Sequence, residues 1–258
     1  MWNQYVRVGS DPETFLQSKT GEFISSVGLI GGSKDEPMPI GEGCSVQEDN
    51  VTVEFNTPPT NDVKEFVRVI NYNLSWITKR AADLGLTVTH TPSAKFSKSQ
   101  LASDAAQTFG CEPDFNAWNY GTPNPRPRSK DKSLRSAGGH IHIEAPELDK
   151  IDLIKAMDLF VGAQMVAFDK DTQRRSLYGK AGAYRPKSYG VEYRTASNAW
   201  LQSDELKEWA FNQTQKAVQF VRDGHTIPDE VGSMIQDCIN NSDESLLARI
   251  NEILPRLV

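Results

Sequence analysis

Gly138-Gly139-His140-Ile141-His142-Ile143-Glu144 is the stretch on which the fold turns. From His140 onward the residues alternate with a period of two, which sets His140, His142 and Glu144 on one face of a strand and Ile141 and Ile143 on the other. The paired glycines ahead of it allow close backbone approach. Four other segments alternate in the same way. Tyr5 to about Phe15 puts Arg7, Gly9, Asp11 and Glu13 together, with Pro12 marking an edge position or a bulge. Val46 to Asn56 reads as one strand, with Val51, Val53 and Phe55 on one side and Glu48, Asn50, Thr52, Glu54 and Asn56 on the other. Leu86 to His90 is short. Tyr189 to Ala196 sets Glu192 and Arg194 opposite Val191, Tyr193 and Thr195.

Helices lie between and after these strands. One opens at Asp62 with Glu65 three residues on, repeats Phe66, Ile70, Leu74 and Ile77 at helical spacing, and closes at Gly85. A second is expected from about Asp149 to Phe168, and two or three more from Ser203 onward. Half-buried strands interleaved with amphipathic helices predict an α+β protein whose sheet has its apolar face covered by helices. At 258 residues the expectation is a single domain.

The hydrophobic share of 38% and charged share of 24% are those of a globular chain. A net charge of −6 argues against general nucleic-acid binding, which is driven by neutralising phosphates. No window approaches the ~18 apolar residues of a membrane span. The best of them, Leu153 to Phe168, is broken by Lys155 and Asp158. The strand-like start at Trp2 to Val8 leaves no room for a signal peptide. Cys44, Cys111 and Cys238 are odd in number and widely spaced, which predicts free thiols and a reducing, cytoplasmic setting.

If the strands share one sheet, its polar face gathers Asp11, Glu13, Glu48, Glu54, His140, His142, Glu144, Glu192 and Arg194. So many acids repel one another unless cations neutralise them, and hard divalent ions such as magnesium do so through carboxylate oxygens. A solvated antiparallel face is the other reading, but such a face usually mixes Lys, Ser and Thr with its acids. His140 and His142 suggest a zinc pair, yet neither Cys nor the remaining His90 and His225 stand at zinc spacing. A metal-facing or nucleotide-facing role suits the pair better.

From Arg174 to Arg194 the chain carries Arg174, Arg175, Lys180, Arg185, Lys187 and Arg194 against the single acid Glu192. Guanidinium groups match phosphate oxygens in bidentate fashion, and Gly179, Gly182 and Gly190 let the backbone approach a ligand. Acidic ligands facing such a run suit a triphosphate. Neither a Walker loop nor a dinucleotide-binding fingerprint is present. Gly28 to Asp35 is either a phosphate cradle with Lys34 or a plain turn. Residues 110–135, with Trp118, Tyr120, Arg126, Arg128, Lys130, Lys132 and Arg135, are expected to form a mobile lid or acceptor-binding loop.

The ordered set Gly9-Ser10-Asp11-Pro12-Glu13, Gln47 to Asn56, Arg135 to His142, Tyr184-Arg185 and Gly190 to Arg194 resembles the phage-type COOH–NH2 ligase (type 2) family, within the broader glutamine synthetase and γ-glutamylcysteine synthetase superfamily. That resemblance implies a curved, mainly antiparallel sheet with helices on its convex face and Mg-ATP on its concave face. It implies metal ligation by Asp11, Glu13, Glu54 and Glu192, a metal or nucleotide contact at His140, and phosphate or acylphosphate contacts at Arg185 and Arg194. Glu48 as a ligand and Arg175 as a catalytic arginine match less closely, and His142 and Lys180 are further candidates for nucleotide contact. The implied reaction joins a small-molecule carboxylate to an amine through an acylphosphate, in a phage-infected cell. Both substrates and the oligomeric state stay open. An ATP:guanidino-type phosphotransferase and a non-catalytic, virion-associated nucleotide binder are the alternatives. A metal-dependent hydrolase fits less well, because its metals would not need this density of arginine. Direct pairing of Glu192 with Arg194 is not expected, since residues two apart on a strand are separated by ~6.5 Å.

Overall fold

The computed structural model describes residues 5–107, 114–125 and 131–258. Cys111, Arg126, Arg128, Lys130 and the start of the chain through Gln4 lie outside the described residues. The first expected strand is divided at Asp11-Pro12 into β1 (Arg7–Ser10) and β2 (Glu13–Ser18). Proline cannot donate to a ladder, and here the chain leaves one sheet and enters another. After β3 (Phe23–Ile24) and β4 (Met38–Gly41) come β5 (Cys44–Asp49) and β6 (Thr52–Asn56). The expected single strand from Val46 to Asn56 is therefore a hairpin, turned at Asn50, whose φ is 56°. Asparagine tolerates that left-handed geometry, and two-residue loops of this kind favour it.

Helix α1 (Val63–Asp83) starts as its sequence signals indicate: the Asp62 side chain accepts from the Glu65 amide, and Gly85 follows the end at φ 73°. It buries Phe66, Ile70 and Ile77 and packs on β5 and on β7 (Leu86–Thr89). Then come β8 (Ser93–Lys95), α2 (Asp104–Gln107), β9 (Phe115–Asn116), β10 (Thr122–Pro123), β11 (Leu134–Ser136) and β12 (Ile141–Glu144). The long helix after β12 is capped by Asp149 and consists of α3 (Lys150–Met157), a π-helical turn over Asp158–Gly162, and α4 (Ala163–Met165). Next are α5 (Thr172–Leu177), β13 (Ala183–Lys187) and β14 (Gly190–Tyr193). The chain ends in α6 (Asp204–Arg222), capped by Ser203, then α7 (Asp229–Asn241) and α8 (Glu244–Ile253).

The fold is α+β, and among the described residues the strands pair antiparallel throughout. One six-stranded sheet runs β1-β12-β14-β13-β9-β10, a second runs β3-β2-β6-β5-β4 with β7 also on β2, and β8 pairs with β11. The sheets curl as a half-barrel. They are stitched at the division: the Glu13 amide donates to Gly138 O (2.9 Å) and Thr57 N to Ser10 O (3.0 Å). Ile141, Ile143, Val191 and Tyr193 turn inward against Leu153, Ile154 and Phe160 of the helical layer. The opposite face of the same strands is left for polar residues. Among the described residues no helix is long and apolar enough to cross a membrane. Cys44 and Cys238 are buried free thiols.

Candidate active site

The register carries polar side chains across the first sheet in a row: Gly9 pairs with His142, His142 with Glu192, and Glu192 with Arg185. Asp11 follows β1 and meets this row, its Oδ1 lying 2.9 Å from His142 Nε2 and 3.4 Å from His140 Nδ1. Ligand atoms of Asp11, His142 and Glu192 all lie within 4.8 Å of one another. Burial pushes the Asp11 carboxyl up, but His142 and His140 outweigh it and hold it well below the usual range. His142 is shifted the other way: Asp11 overcomes the effect of burial and raises it, while Tyr189 OH contacts its Nδ1. Despite their proximity, among the described residues neither Asp11 Oδ1 nor His142 Nε2 makes a well-aligned hydrogen bond.

Glu192 is fully buried and is the hub of the positive groups. Lys187 Nζ stands 2.9 Å from it, Arg185 Nη1 3.3 Å, and Arg194 Nη1 in direct contact. Burial alone would raise its pKa, yet the charges around it, Arg194 foremost, bring it to about 2. The Glu192–Arg194 pair corrects the sequence expectation. Arg194 lies beyond the end of β14, so its long side chain folds back over its neighbour instead of standing off by a full strand repeat. Arg194 also leaves its Nε 4.0 Å from Asp114 and its Nη1 3.5 Å from His140 Nδ1. Burial and the Arg194 charge lower the pKa of His140.

A second acidic group adjoins the first. Glu13 and Glu54 are register partners on β2 and β6, and with Asp49 they bring ligand atoms within 4.8 Å of one another. Burial and Asp49 push Glu13 up to about 7. Burial, Asp11 and Glu13 push Glu54 well above the usual range. Glu13 Oε2 accepts from the Gly138 amide at 2.6 Å, which explains part of the Gly-Gly signal. A Cβ on Gly139 would stand 2.1 Å from Ser197 O, so that position excludes any side chain.

Several sequence candidates stand elsewhere. Glu48 belongs to neither group: the hairpin turn reverses its parity, pairing it with Val53 on the apolar side. Its carboxylate accepts from the amides of Gly28, Ile30 and Gly31 at 2.7–2.9 Å. The glycine-rich loop is thus an anion nest filled by the protein's own side chain, not a cradle for phosphate. Asp49 takes the place in the site that Glu48 was expected to fill. Arg175 is buried, donating to Gly179 O (2.6 Å) and facing Asp169 at 3.8 Å, so it holds the backbone and is not aimed at a phosphate. Arg174 is spent in the same way on the carbonyls of Ala137, Thr195 and Ala196. Lys180 is exposed and Glu144 pairs with Arg7 at the surface. In the expected lid, Arg135 is buried with its guanidinium on Ala106 O and Leu134 O, and Trp118 is anchored through Asp158. Those two residues are fixed supports. Asp49 and Asp114 were missed, whereas Lys187 belongs to the basic run already singled out and pairs with Glu192. The Asp49-Asn50 turn signal could have found the first, while Asp114 sits in a stretch without periodicity.

Residues 130–250 match the family model described as phage phiEco32-like COOH.NH2 ligase-type 2, which bears out the family resemblance over that part of the chain. No curated protein sequence matches. A solved structure described as GmaS/ADP complex-Conformation 1 aligns at 11% identity and a TM-score of 0.37, covering 98% of this chain and 69% of that one.

Proposed function

We propose that the chain is an ATP- and magnesium-dependent ligase that joins a carboxylate to an amine through an acylphosphate. The observation that carries this reading is the pair of adjoining acidic groups, Asp11/His142/Glu192 beside Arg185 on the first sheet and Glu13/Asp49/Glu54 on the second, where Glu13 and Asp49 line one cavity with Arg194. Buried carboxylates that raise one another's pKa need cations. The buried Asp11 carboxylate, held between His140 and His142, and the hard oxygen donors of the second group fit divalent magnesium. Glu13, Asp49, Glu54, Asp11 and Glu192 would hold it, with His142 or His140 at the margin. Bound magnesium would neutralise phosphate charge and polarise the transferred group.

The chain's own residues supply the rest. Arg185 and Arg194 offer planar donors to phosphoryl oxygens, and the sheet holds the two reactants in one place. The substrate carboxylate attacks the γ-phosphorus and ADP leaves. The amine then attacks the acyl carbon and phosphate leaves. The family match over residues 130–250 supports a carboxylate–amine ligase, and the proposal takes it as phage-encoded and acting in the host cytoplasm. We read the chain as one catalytic domain, since the main apolar cluster draws residues from Val6 to Ile250, beside a smaller one around Phe15 and Phe96. The test is ADP release across a panel of amino acids, polyamines and modified nucleobases. Release that needs magnesium, a carboxylate and an amine together is expected. Release indifferent to the amine and carboxylate contradicts the reading.

A further inference from the structure

We infer that Asp114 is the carboxylate that receives the acceptor amine and takes its first proton. This rests on the ligase reading and adds a residue to it. Asp114 lines a cavity together with Glu13, Asp49, His140 and Arg194. Glu13 and Asp49 belong to the acidic group suited to a cation, whereas Asp114 belongs to neither such group. Among the described residues its charged neighbour is Arg194 Nε, at 4.0 Å, which is too far for a hydrogen bond. The ladder adds a second reason. Strand β9 pairs with β13 as Asn116 to Ala183 and Phe115 to Tyr184, so the next step of that register sets Asp114 beside Arg185. Asp114 therefore stands at the end of the row formed by His142, Glu192 and Arg185, next to both arginines that would hold the acylphosphate.

Its placement is built, not incidental. Asn124 N donates to Asp114 O at 2.8 Å, and Ala117 N donates to Gly182 O at 3.0 Å. The Trp118 indole N–H donates to Asp158 Oδ2 at 2.6 Å, and its ring fills a slot where a Cβ on Gly182 or Gly232 would come within 2.7 and 2.5 Å. Trp118 is thus a positioning residue. It pins the short arm that carries Asp114 to the helical layer.

The chemistry follows from that position. An amine arrives as an ammonium ion, attracted by the carboxylate, and cannot attack until it loses a proton. Asp114 takes that proton, and the freed lone pair forms the C–N bond to the acyl carbon. The C–O bond to phosphate breaks, and the departing phosphate carries off the second nitrogen proton.

The test compares methylamine with hydroxylamine, which is uncharged at neutral pH, using the amino acid that gives the wild type its highest ADP release. In Asp114→Asn, the reaction with methylamine should fall about hundredfold or more, while hydroxamate formation stays within about tenfold. Asp114→Glu should recover part of the methylamine rate. Trp118→Phe, which keeps an aromatic side chain but loses the N–H and one of the two fused rings, should show the same selectivity in weaker form, and thermal melts confirm that each variant is folded. Equal losses with both nucleophiles, or an unchanged methylamine rate, overturn the assignment. A wild type that forms no hydroxamate with any amino acid overturns the ligase reading and this assignment with it. A wild type that does so, beside an unselective Asp114→Asn, overturns the assignment alone.

Discussion

Glu13 and Glu54 face each other as direct partners on neighbouring antiparallel strands, one buried and one half-buried carboxylate where cross-strand pairing normally avoids like charge. The arrangement makes sense in a protein that binds a cation there, and it has a cost when the cation is absent. Glu54→Gln should therefore raise the melting temperature without magnesium, by roughly 2–4 °C for about 1 kcal/mol in a chain of this size. The same variant should lose the stabilisation that magnesium gives the wild type. Differential scanning fluorimetry with and without magnesium reads both effects. A variant that keeps the magnesium response contradicts the assignment of Glu54.

Glu48→Gln should behave in the opposite way. Its carboxylate satisfies three backbone amides of the loop at 28–31, so an amide side chain leaves donors facing donors. A loss of about 1–3 kcal/mol in urea unfolding is expected. The magnesium-dependent shift should be unchanged. A selective loss of metal response would return Glu48 to the site.

The four-way contact at Glu192 predicts an asymmetry. Arg194→Met leaves Glu192 with Lys187 and Arg185, and should cost about 1–2 kcal/mol, less than the full penalty for breaking a buried pair. Glu192→Gln removes the buried anion shared by Lys187, Arg185 and Arg194, and should cost roughly 3–5 kcal/mol. Arg194→Lys keeps the charge and loses the fork, so turnover should fall more than stability does. Equilibrium unfolding beside turnover numbers separates these outcomes, and equal costs for the first two variants contradict the hub.

Asp158 gives a pH signature away from the site. It is buried in the π-helical turn and accepts from Trp118, Tyr193 and Gly182, but burial outweighs these bonds and pushes its pKa from 3.8 to about 6. Folding therefore favours the protonated form. The contribution to stability is complete below about pH 4 and is lost as pH rises through about 6. Trp118 emission should titrate with a midpoint near 6 as its hydrogen-bond acceptor gains charge. A flat profile from pH 5 to 8 contradicts the buried-acid description.

Strand periodicity made the polar face legible before any coordinates. His140, His142 and Glu192 were placed together because an unbroken period of two carries through β12 and β14. The same reasoning failed at Glu48, because a two-residue turn at Asn50 inverts the parity and a continuous strand hides that turn. Arg174 and Arg175 were misjudged for another reason. A run of basic residues records charge, but not whether the guanidinium groups are spent on backbone carbonyls, as these two are. Asp114 carried no local signal at all, since its place depends on a tryptophan anchored to a helix 40 residues further along the chain.

The most direct measurement is the ratio of hydroxamate to ADP when the protein is incubated with Mg-ATP, hydroxylamine and each amino acid in turn. The account predicts at least one carboxylate for which the two appear in equal amounts, with both lost in Glu54→Gln. ADP formed without hydroxamate, or matched by a stable phosphorylated guanidine, would contradict it.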